Sequence, residues 1–238
     1  MRDPNPVTAA ARLSGEPSFR PVGVGPWSQE HPDLPRPDDP SGPAYDPRYD
    51  SDLLDQGDRR NVLDRYRYWS VEAIRQDLDD RGRQGFEVAV ENWTHDFNIG
   101  SVVRSANAFG AARVHLIGPH KWNRKGSLMT EVYQHVIHHP SVTSLVEYLK
   151  EESGRTGHPV PRLIAVDNVP GSVPIETYDF PRRCLMIFGA EGPGLSDRAL
   201  ELADDVVYIS QFGSVRSINA GAAAAVAMHS WISQWAVG

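Results

Sequence analysis

The segment that most constrains the fold runs from residue 206 to residue 225, near the C-terminus. It starts as an apolar run (Val-Val-Tyr-Ile), passes through a loop of Gly and Ser, and continues as Ala-Gly-Ala-Ala-Ala-Ala from Ala220. Ser217 and Asn219 end the loop, and both residue types cap helix N-termini well. A helix that begins almost without side chains indicates that a ligand, another chain segment or both come very close to its backbone.

From residue 85 onward, apolar runs alternate with helical patterns. The predicted strands are Phe86–Val90, Val114–Ile117, Leu163–Val166, Leu185–Phe188 and Val206–Ile209, with a short run near Val136 as a further candidate. The predicted helices are Ile99–Phe109, Val142–Leu149, Asp197–Leu202 and Ala220–Trp235. This alternation predicts an α/β fold with a mostly parallel sheet flanked by helices. Ligands of such sheets bind at the carboxyl ends of the strands, where three Gly-rich loops fall.

The N-terminal part of the chain has a different composition. Eleven of the nineteen prolines lie in residues 1–47, where almost no apolar period is visible. Such a segment cannot bury enough surface to offset its ordering entropy. We therefore expect a disordered tail over residues 1–50, a short helical extension over 51–84, and one catalytic α/β domain over 85–238.

The charge and the cysteine content limit the function class. The net charge is −7, of which −4 falls in residues 1–60 and −3 in residues 61–238, so a nucleic acid would have to bind a local basic patch. Cys184 is the only cysteine, which excludes an internal disulfide. No apolar run approaches the ~20 residues of a membrane span, and no signal core starts the chain, so we expect a cytoplasmic protein without membrane contact.

The first candidate motif follows the first predicted strand. Asn98 stands where a helix begins, and Arg104 lies on the first turns of that helix among small residues such as Ser101 and Ser105. An arginine near a helix N-terminus is well suited to hold a phosphate. Taken alone, this motif favours a simpler interpretation, a surface arginine on an amphipathic helix.

The second motif is the loop at residues 188–196, Phe-Gly-Ala-Glu-Gly-Pro-Gly-Leu-Ser. Its glycine spacing is neither the dinucleotide fingerprint nor a Walker loop, which argues against a dinucleotide-dependent oxidoreductase. Its glycines permit a ligand to approach the main chain, and Ser196 can cap the next helix. In isolation an ordinary strand-to-helix turn is as good an interpretation.

The order of the motifs is more specific than any one of them. Asn-x-Gly-x-x-x-Arg is followed by Gly-x-Glu-Gly-x-Gly-Leu and then by Gly-x-x-x-Ser-Ile-Asn. This order resembles the SpoU-type RNA ribose 2′-O-methyltransferases of the SPOUT superfamily, over about residues 86–235. Small departures from that family's pattern occur at Ser210, Ala190, Ile218 and Ala220-Gly221.

The resemblance implies a deep C-terminal trefoil knot, an S-adenosylmethionine pocket formed by the knot, and a homodimer. The cofactor-binding residues that it implies are Gly189, Glu191, Gly192, Ile209, Gly213, Ser217, Ile218 and Asn219. It makes Arg104 the principal catalytic residue, close to the target ribose and its phosphate. The other catalytic positions that it implies are Asn98, Glu191, Ser217 and Asn219. The reaction needs orientation of a weak hydroxyl nucleophile and no metal, and the His135, His138 and His139 group lacks metal-ligand spacing.

A basic loop after the second predicted strand is the candidate RNA contact. Its residues Lys121, Trp122, Arg124 and Lys125 offer cations for phosphates and a ring for base stacking, and Arg104 is expected to join them. The sequence thus predicts an S-adenosylmethionine-dependent methyltransferase acting on a ribose 2′-hydroxyl of tRNA or rRNA. A noncatalytic knotted RNA-binding protein and an RNA base methyltransferase are the alternatives.

Overall fold

The structure of the chain, a computed structural model, describes residues 5–16, 22–93, 98–190 and 192–237. It divides into two compact units, residues 1–70 and residues 71–238. The helices of the first unit are α1 (Pro6–Leu13), α2 (Trp27–Glu30) and α3 (Ser51–Gln56). The boundaries expected at residues 50 and 84 stay a prediction.

The first unit is organised around a fully buried carboxylate, Asp58. Its oxygens accept hydrogen bonds from the Arg60 side chain (2.9 and 2.7 Å) and from the Tyr68 backbone N–H (3.0 Å). Because every buried charge needs such partners, Asp58 fixes the turn that joins these residues. The Trp27 ring packs edge-on against Tyr49 and Tyr68 and supplies apolar contact in the same unit.

The second unit contains the α/β fold. Its strands are β1 (Phe86–Glu91), β2 (Val114–Ile117), β3 (Val136–His139), β4 (Arg162–Val166), β5 (Val173–Pro174), β6 (Cys184–Phe188) and β7 (Asp205–Tyr208). Its helices are α4 (Val71–Asp80), α5 (Ile99–Ala108), α6 (Val142–Thr156), α7 (Asp197–Leu202) and α8 (Ala220–Trp235). The sheet order is β3-β2-β1-β6-β4-β7-β5, and every pairing is parallel. The predicted parallel sheet with flanking helices is confirmed.

The two faces of the sheet carry separate apolar layers. On one face α5 and α8 contribute side chains such as Val102 and Trp231, which pack with Phe86 of β1. On the other face α6 and α7 contribute Leu145 and Ala199. Strands covered on both faces read as continuous apolar runs, as β6 does, whereas Glu87 interrupts β1 and His115 interrupts β2.

The register aligns the carboxyl ends of the central strands at one edge of the sheet. Val90 pairs with Phe188, Phe188 pairs with Val166, and Val166 pairs with Val207. The loops that follow β1, β4, β6 and β7 therefore emerge side by side, and those after β1, β6 and β7 carry the three sequence motifs.

The small residues at the start of α8 allow close packing against α5. An ideal Cβ on Gly221 would lie 3.1 Å from the Ser101 Cβ, and Ala224 and Ala227 are fully buried. Asn219 caps the helix by accepting the Ala222 N–H (3.1 Å). The sequence inference of a close backbone approach at this helix is therefore confirmed.

Among the described residues, no helix combines the length and the apolar character needed to cross a lipid bilayer.

Cys184 is fully buried in β6, and burial raises the pKa of its thiol to about 12. The side chain is therefore a protonated apolar group, not a nucleophile.

Candidate active site

A cavity of about 660 Å³ lies at the carboxyl edge of the sheet, between the ends of β4, β6 and β7 and the start of α8. The predicted cofactor residues that line it are Gly189, Gly192, Ile209, Ser217, Ile218 and Asn219. Gly213 lies outside this lining, and Glu191 lies outside the described residues. The volume is within the range usual for small-molecule pockets.

The Gly-rich loop after β6 has a fixed backbone. Ala190 and Gly194 exchange two backbone hydrogen bonds (3.1 and 3.0 Å), and Asp167 accepts the Leu195 N–H (2.8 Å). A Cβ on Gly189 would lie 2.1 Å from the Gly194 carbonyl carbon, so no other residue fits there. Gly192 has a φ of +99°, which also favours glycine. The loop thus presents main-chain groups to the cavity at close range.

The segment after β7 forms another wall of the cavity. Ser210, one of the positions that departs from the motif pattern, donates its N–H and its hydroxyl to the two carboxylate oxygens of Glu176 (3.0 Å each). These two bonds hold Ser210 in place. The side-chain amides of Asn168 and Gln211 both donate to the Arg216 carbonyl (3.4 Å each). These bonds hold residues 210–216 beside the end of β4.

One polar atom in this wall has no partner. Oε1 of Gln211 is buried without a hydrogen bond among the described residues, although Gln211 lines the cavity. A buried acceptor left without a donor costs about 1–3 kcal/mol. S-adenosylmethionine carries an ammonium group, two ribose hydroxyls and an adenine amino group, each able to donate to this oxygen. The cavity volume, the main-chain groups near Gly189 and this orphaned acceptor therefore fit that cofactor.

The first and third motifs meet through their asparagines. Asn98 is the N-cap residue of α5, but its side chain makes no cap hydrogen bond. Its Oδ1 instead accepts a hydrogen bond from Asn219 Nδ2 (2.8 Å). Because Asn219 lines the cavity, this bond attaches the start of α5 to the cavity wall. Residues 94–97 of the first motif lie outside the described residues.

Arg104 projects from α5 next to this junction. It lies one turn after Ser101, which packs against Gly221 of α8, and its side chain is exposed. Among the described residues no carboxylate or carbonyl pairs with its guanidinium. An exposed cation beside a ligand cavity is available to an anionic partner such as an RNA phosphate.

A buried carboxylate that no sequence pattern indicated connects the first and second motifs. Glu91, at the end of β1, is fully buried. Its Oε2 accepts the Ser196 N–H, and its Oε1 accepts both the Ser196 hydroxyl and the Trp93 indole N–H, each at 2.7 Å. Glu91 thus fixes the cap of α7 and the ring of Trp93 together.

The basic loop lies against the start of α5. An ideal Cβ on Gly100 would be 2.7 Å from the Gly126 Cα, so the two backbones touch. Lys121, Arg124 and Lys125 are exposed, as expected for phosphate contacts, whereas Trp122 is half-buried against the apolar layer of α5 and α8. The structure therefore places the three cations near α5, the helix that carries Arg104. Part of the Trp122 ring packs against the apolar layer of α5 and α8.

No trio of His, Cys, Asp or Glu in the described part of the chain is arranged to hold a metal ion. His135 pairs with Asp79 (3.0 Å), and His139 lies 2.9 Å from His115 inside the fold. These histidines therefore have structural partners.

Comparison with known proteins decides the family. The model of the SpoU rRNA methylase family matches residues 85–229. This chain belongs to the SpoU rRNA methylase family. The match covers all three motifs and the cavity they surround.

Individual relatives agree with this family. The chain is 28% identical to a tRNA (guanosine(18)-2′-O)-methyltransferase of Thermus thermophilus over 66% of this chain and 80% of the relative. It is 24% identical to the enzyme of that name in Escherichia coli over 63% of each chain. The structure of the SpoU methyltransferase AviRb from Streptomyces viridochromogenes, in complex with the cofactor AdoMet, matches with a TM-score of 0.57 and 28% identity.

The coverage of these matches is partial. The AviRb match includes 64% of this chain and 58% of AviRb, so the chain spans less than two thirds of that protein. The A. aeolicus TrmH/SpoU tRNA modifying enzyme matches at 17% identity with a TM-score of 0.57, which supports the fold alone. The predicted family is confirmed, and with it an RNA methyltransferase that uses S-adenosylmethionine.

Proposed function

We propose that this protein transfers a methyl group from S-adenosylmethionine to a ribose 2′-hydroxyl of tRNA or rRNA. The observation that carries the proposal is the Asn219–Asn98 hydrogen bond (2.8 Å), because it joins the cavity wall to the helix that bears Arg104. A cofactor site and an unpaired cation are thereby held at one edge of the sheet. The relatives named above methylate a guanosine 2′-hydroxyl of tRNA, which agrees with this assignment.

The cavity is the proposed cofactor site. Main-chain groups of Gly189, Gly192 and residues 217–219 would hold S-adenosylmethionine, with Ile209 as an apolar contact and with Glu191 and Gly213 completing the set. When bound, the cofactor supplies a methyl group on a positively charged sulfur. The two backbone hydrogen bonds between Ala190 and Gly194 already constrain these two residues, which lowers the ordering cost of binding.

Arg104 is the proposed catalytic residue. A guanidinium can bind the phosphate next to the target ribose in a bidentate manner, which places the 2′-hydroxyl at the cavity mouth. Its charge also stabilises the negative charge that develops on the 2′-oxygen as the hydroxyl proton passes to solvent. Asn98, Glu191, Ser217 and Asn219 are the proposed polar groups that position the reactants, and holding reactants in line is a large part of such catalysis.

RNA would reach the site over the basic loop. Lys121, Arg124 and Lys125 are exposed and form no ion pair among the described residues, so they are available to phosphates. The chain as a whole carries a charge of −7. Binding therefore depends on this local group of cations and should weaken steeply as the salt concentration rises.

We also propose that the C-terminal segment forms a trefoil knot. After β4 the chain passes to β5 at the far edge of the sheet and returns to β6 past Tyr178 and Phe180. The last turn of α8 lies against that return, since Gln234 Nε2 donates to the Tyr178 carbonyl and Trp235 Nε1 to the Phe180 carbonyl (2.9 Å each). This contact supports a path in which the segment before α8 passes through the loop between β4 and β6.

We further propose that the protein forms a homodimer. Phe212, Val215 and Ile218, in the segment beside the cavity, are 98%, 65% and 37% exposed. Exposed apolar groups next to an active site are typical of a surface that another chain covers. Sedimentation of the purified protein tests this, with a dimer mass expected and a monomer mass contradicting it. The cytoplasmic location stays a prediction.

The test of the function is product analysis. The protein is incubated with methyl-labelled S-adenosylmethionine and unmodified tRNA or rRNA transcripts, and the RNA is digested with alkali. A ribose-methylated nucleotide resists alkaline cleavage and appears as a labelled dinucleotide. Label in a mononucleotide would indicate base methylation. Cofactor and RNA binding without label would favour the noncatalytic alternative.

A further inference from the structure

We propose that the exposed face of the Trp93 indole is a stacking surface for an unpaired nucleobase of the RNA substrate. The inference rests on the proposed RNA methyltransferase function and adds a substrate contact to it. Trp93 stands just after β1, in the loop of the first motif, and 40% of the residue is exposed.

The orientation of the ring is fixed by its polar edge. The indole N–H donates to Glu91 Oε1 at 2.7 Å, and Glu91 is fully buried and held by two further bonds from Ser196. The hydrogen-bonding capacity of the indole is thereby satisfied inside the protein. What remains for a ligand is the π surface alone, which suits a nucleobase.

The back of the ring lies against the chain that follows β2. An ideal Cβ on Gly118 would lie 3.3 Å from Trp93 Cε3 and 2.8 Å from the Asn92 carbonyl oxygen. The close approach of this glycine supports the ring at Cε3, while 40% of the residue stays exposed. A ring held in this way loses little conformational entropy when a base stacks on it.

The surroundings of Trp93 favour RNA over an apolar partner. Asn92 Nδ2 donates to the His120 carbonyl (2.8 Å), which ties the Trp93 loop to the start of the basic loop. Lys121, Arg124 and Lys125 follow within five residues and have no acidic partner in the described segments of the chain. Cations for phosphates beside an open aromatic face are the combination that binds single-stranded RNA.

The comparison with Trp122 explains why Trp93 is the better candidate. Trp122 belongs to the basic loop, but its ring packs against the apolar layer of α5 and α8. Among the described residues Trp93 is in neither apolar layer, and its indole N–H is bonded to Glu91. Of the two rings, Trp93 is therefore the more exposed to a ligand.

Two substitutions separate stacking from a structural role. Trp93→Phe keeps a π face and loses the bond to Glu91, whereas Trp93→Leu loses both. We expect Trp93→Leu to bind single-stranded oligoadenylate about 5- to 150-fold more weakly than wild type, and Trp93→Phe to stay within about threefold. S-adenosylmethionine affinity and the melting temperature serve as controls for the fold and should be alike in the two variants. Oligoadenylate should also quench the tryptophan emission of the wild type more than that of Trp93→Phe.

Several outcomes would overturn the inference. Equal losses of RNA affinity in the Phe and Leu variants would assign Trp93 a structural role through Glu91. A monomer mass for Trp93→Leu beside a dimeric wild type would assign the surface to a second copy of the chain. Absence of oligoadenylate binding by the wild type would also contradict stacking. If the wild type passes the stacking test but methylates no RNA, the proposed function fails while Trp93 remains an RNA contact.

Discussion

Two arginines of the α/β unit, Arg104 and Arg113, differ in whether the protein itself supplies partners for the guanidinium group. Arg113 donates to Glu87 (3.0 Å) and to Glu152 (3.2 Å), so both ends of its guanidinium are satisfied within the protein. Arg104 lies at the carboxyl edge of the same sheet and has no such partner in the described residues. Arg113 borders a buried polar cluster, and Arg104 is the proposed contact for the substrate.

The buried polar cluster consists of Glu87, His115 and His139, between the sheet and α6, and Arg113 borders it with 29% of its side chain exposed. His115 Nε2 lies 2.8 Å from Glu87 Oε2, and His115 Nδ1 lies 2.9 Å from His139 Nε2. Burial acts to raise the pKa of Glu87, but its hydrogen bond to His115 and the charge of Arg113 outweigh burial and hold that pKa below its usual value.

The difference between the two regions distinguishes stability from function. Buried polar groups that are fully paired hold the strands in place. Among the described residues, the carboxyl edge instead has an Arg104 without an ion-pair partner, a buried Gln211 oxygen without a donor, and a Trp93 that is 40% exposed. Polar groups left without partners in a cavity indicate where a ligand completes the structure.

The largest expected effect separates the two arginines directly. Arg104→Ala should lower the rate of methyl transfer about 10²- to 10³-fold, because one charge that stabilises the transition state is removed. Its affinity for S-adenosylmethionine should stay within about twofold, since Arg104 does not line the cavity. Steady-state kinetics and calorimetric titration measure the two quantities.

Arg113→Ala is the matched control. It should lower the free energy of unfolding by about 1–3 kcal/mol, because Glu87 and Glu152 lose a partner. Methyl transfer per folded molecule should be unchanged. A loss of cofactor affinity in Arg104→Ala, or a loss of transfer in folded Arg113→Ala, would contradict the contrast between the two sites.

A glycine substitution tests the rigid loop of the carboxyl edge. Gly189→Ala would place a methyl group 2.1 Å from the Gly194 carbonyl carbon, so the loop must move. We expect S-adenosylmethionine binding to weaken about 100-fold. Gly154→Ala on α6 meets nothing within 4 Å and should instead raise the free energy of unfolding by about 0.5–1 kcal/mol. Equal cofactor affinities in the two variants would show that the loop does not form the pocket.

The buried polar cluster should make stability depend on pH. Burial and the nearby His115 and His138 lower the pKa of His139 to about 4, below the ordinary value of about 6.5. The unfolded chain therefore binds more protons than the native protein between these values, and stability falls as the pH falls from about 6.5 to about 4. His139→Gln should remove on the order of 2 kcal/mol of this fall in denaturant titrations. Identical pH profiles would contradict the assignment.

The smallest expected effect concerns the orphaned oxygen. Gln211→Leu should weaken S-adenosylmethionine binding about 2- to 10-fold, because one hydrogen bond to the cofactor is lost. Without cofactor the stability should change little, because removal of the buried unpaired acceptor offsets loss of the long Nε2 bond to the Arg216 carbonyl (3.4 Å). Unchanged affinity in calorimetry would show that Gln211 does not contact the cofactor.

The sequence predicted the fold well where local patterns decide it. The strand Val114–Ile117 and the helices Asp197–Leu202 and Ala220–Trp235 have the predicted bounds. The helix predicted to end at Leu149 continues to Thr156, where Gly157 ends it with a left-handed conformation. The apolar period stops at Leu149 because the last two turns are exposed, so periodicity alone could not find the end.

The site was predicted in its motifs but not in its connections. The hydrogen bond between Glu91 and Ser196 joins residues that are 105 positions apart, and no local pattern reports such a contact. Trp122, predicted as an RNA contact because it lies among cations, is half-buried against the apolar layer of α5 and α8, and its RNA contact stays a prediction. Trp93 was not singled out, because its exposure and its bond to Glu91 depend on the tertiary structure.

The most direct test of the central claim is the identity of the methylated nucleoside. RNA treated with the protein and S-adenosylmethionine is digested to nucleosides and analysed by mass spectrometry, with Arg104→Ala in parallel. The account predicts a 2′-O-methylnucleoside that the wild type forms and the variant does not. A base-methylated nucleoside, or equal product from both proteins, would contradict it.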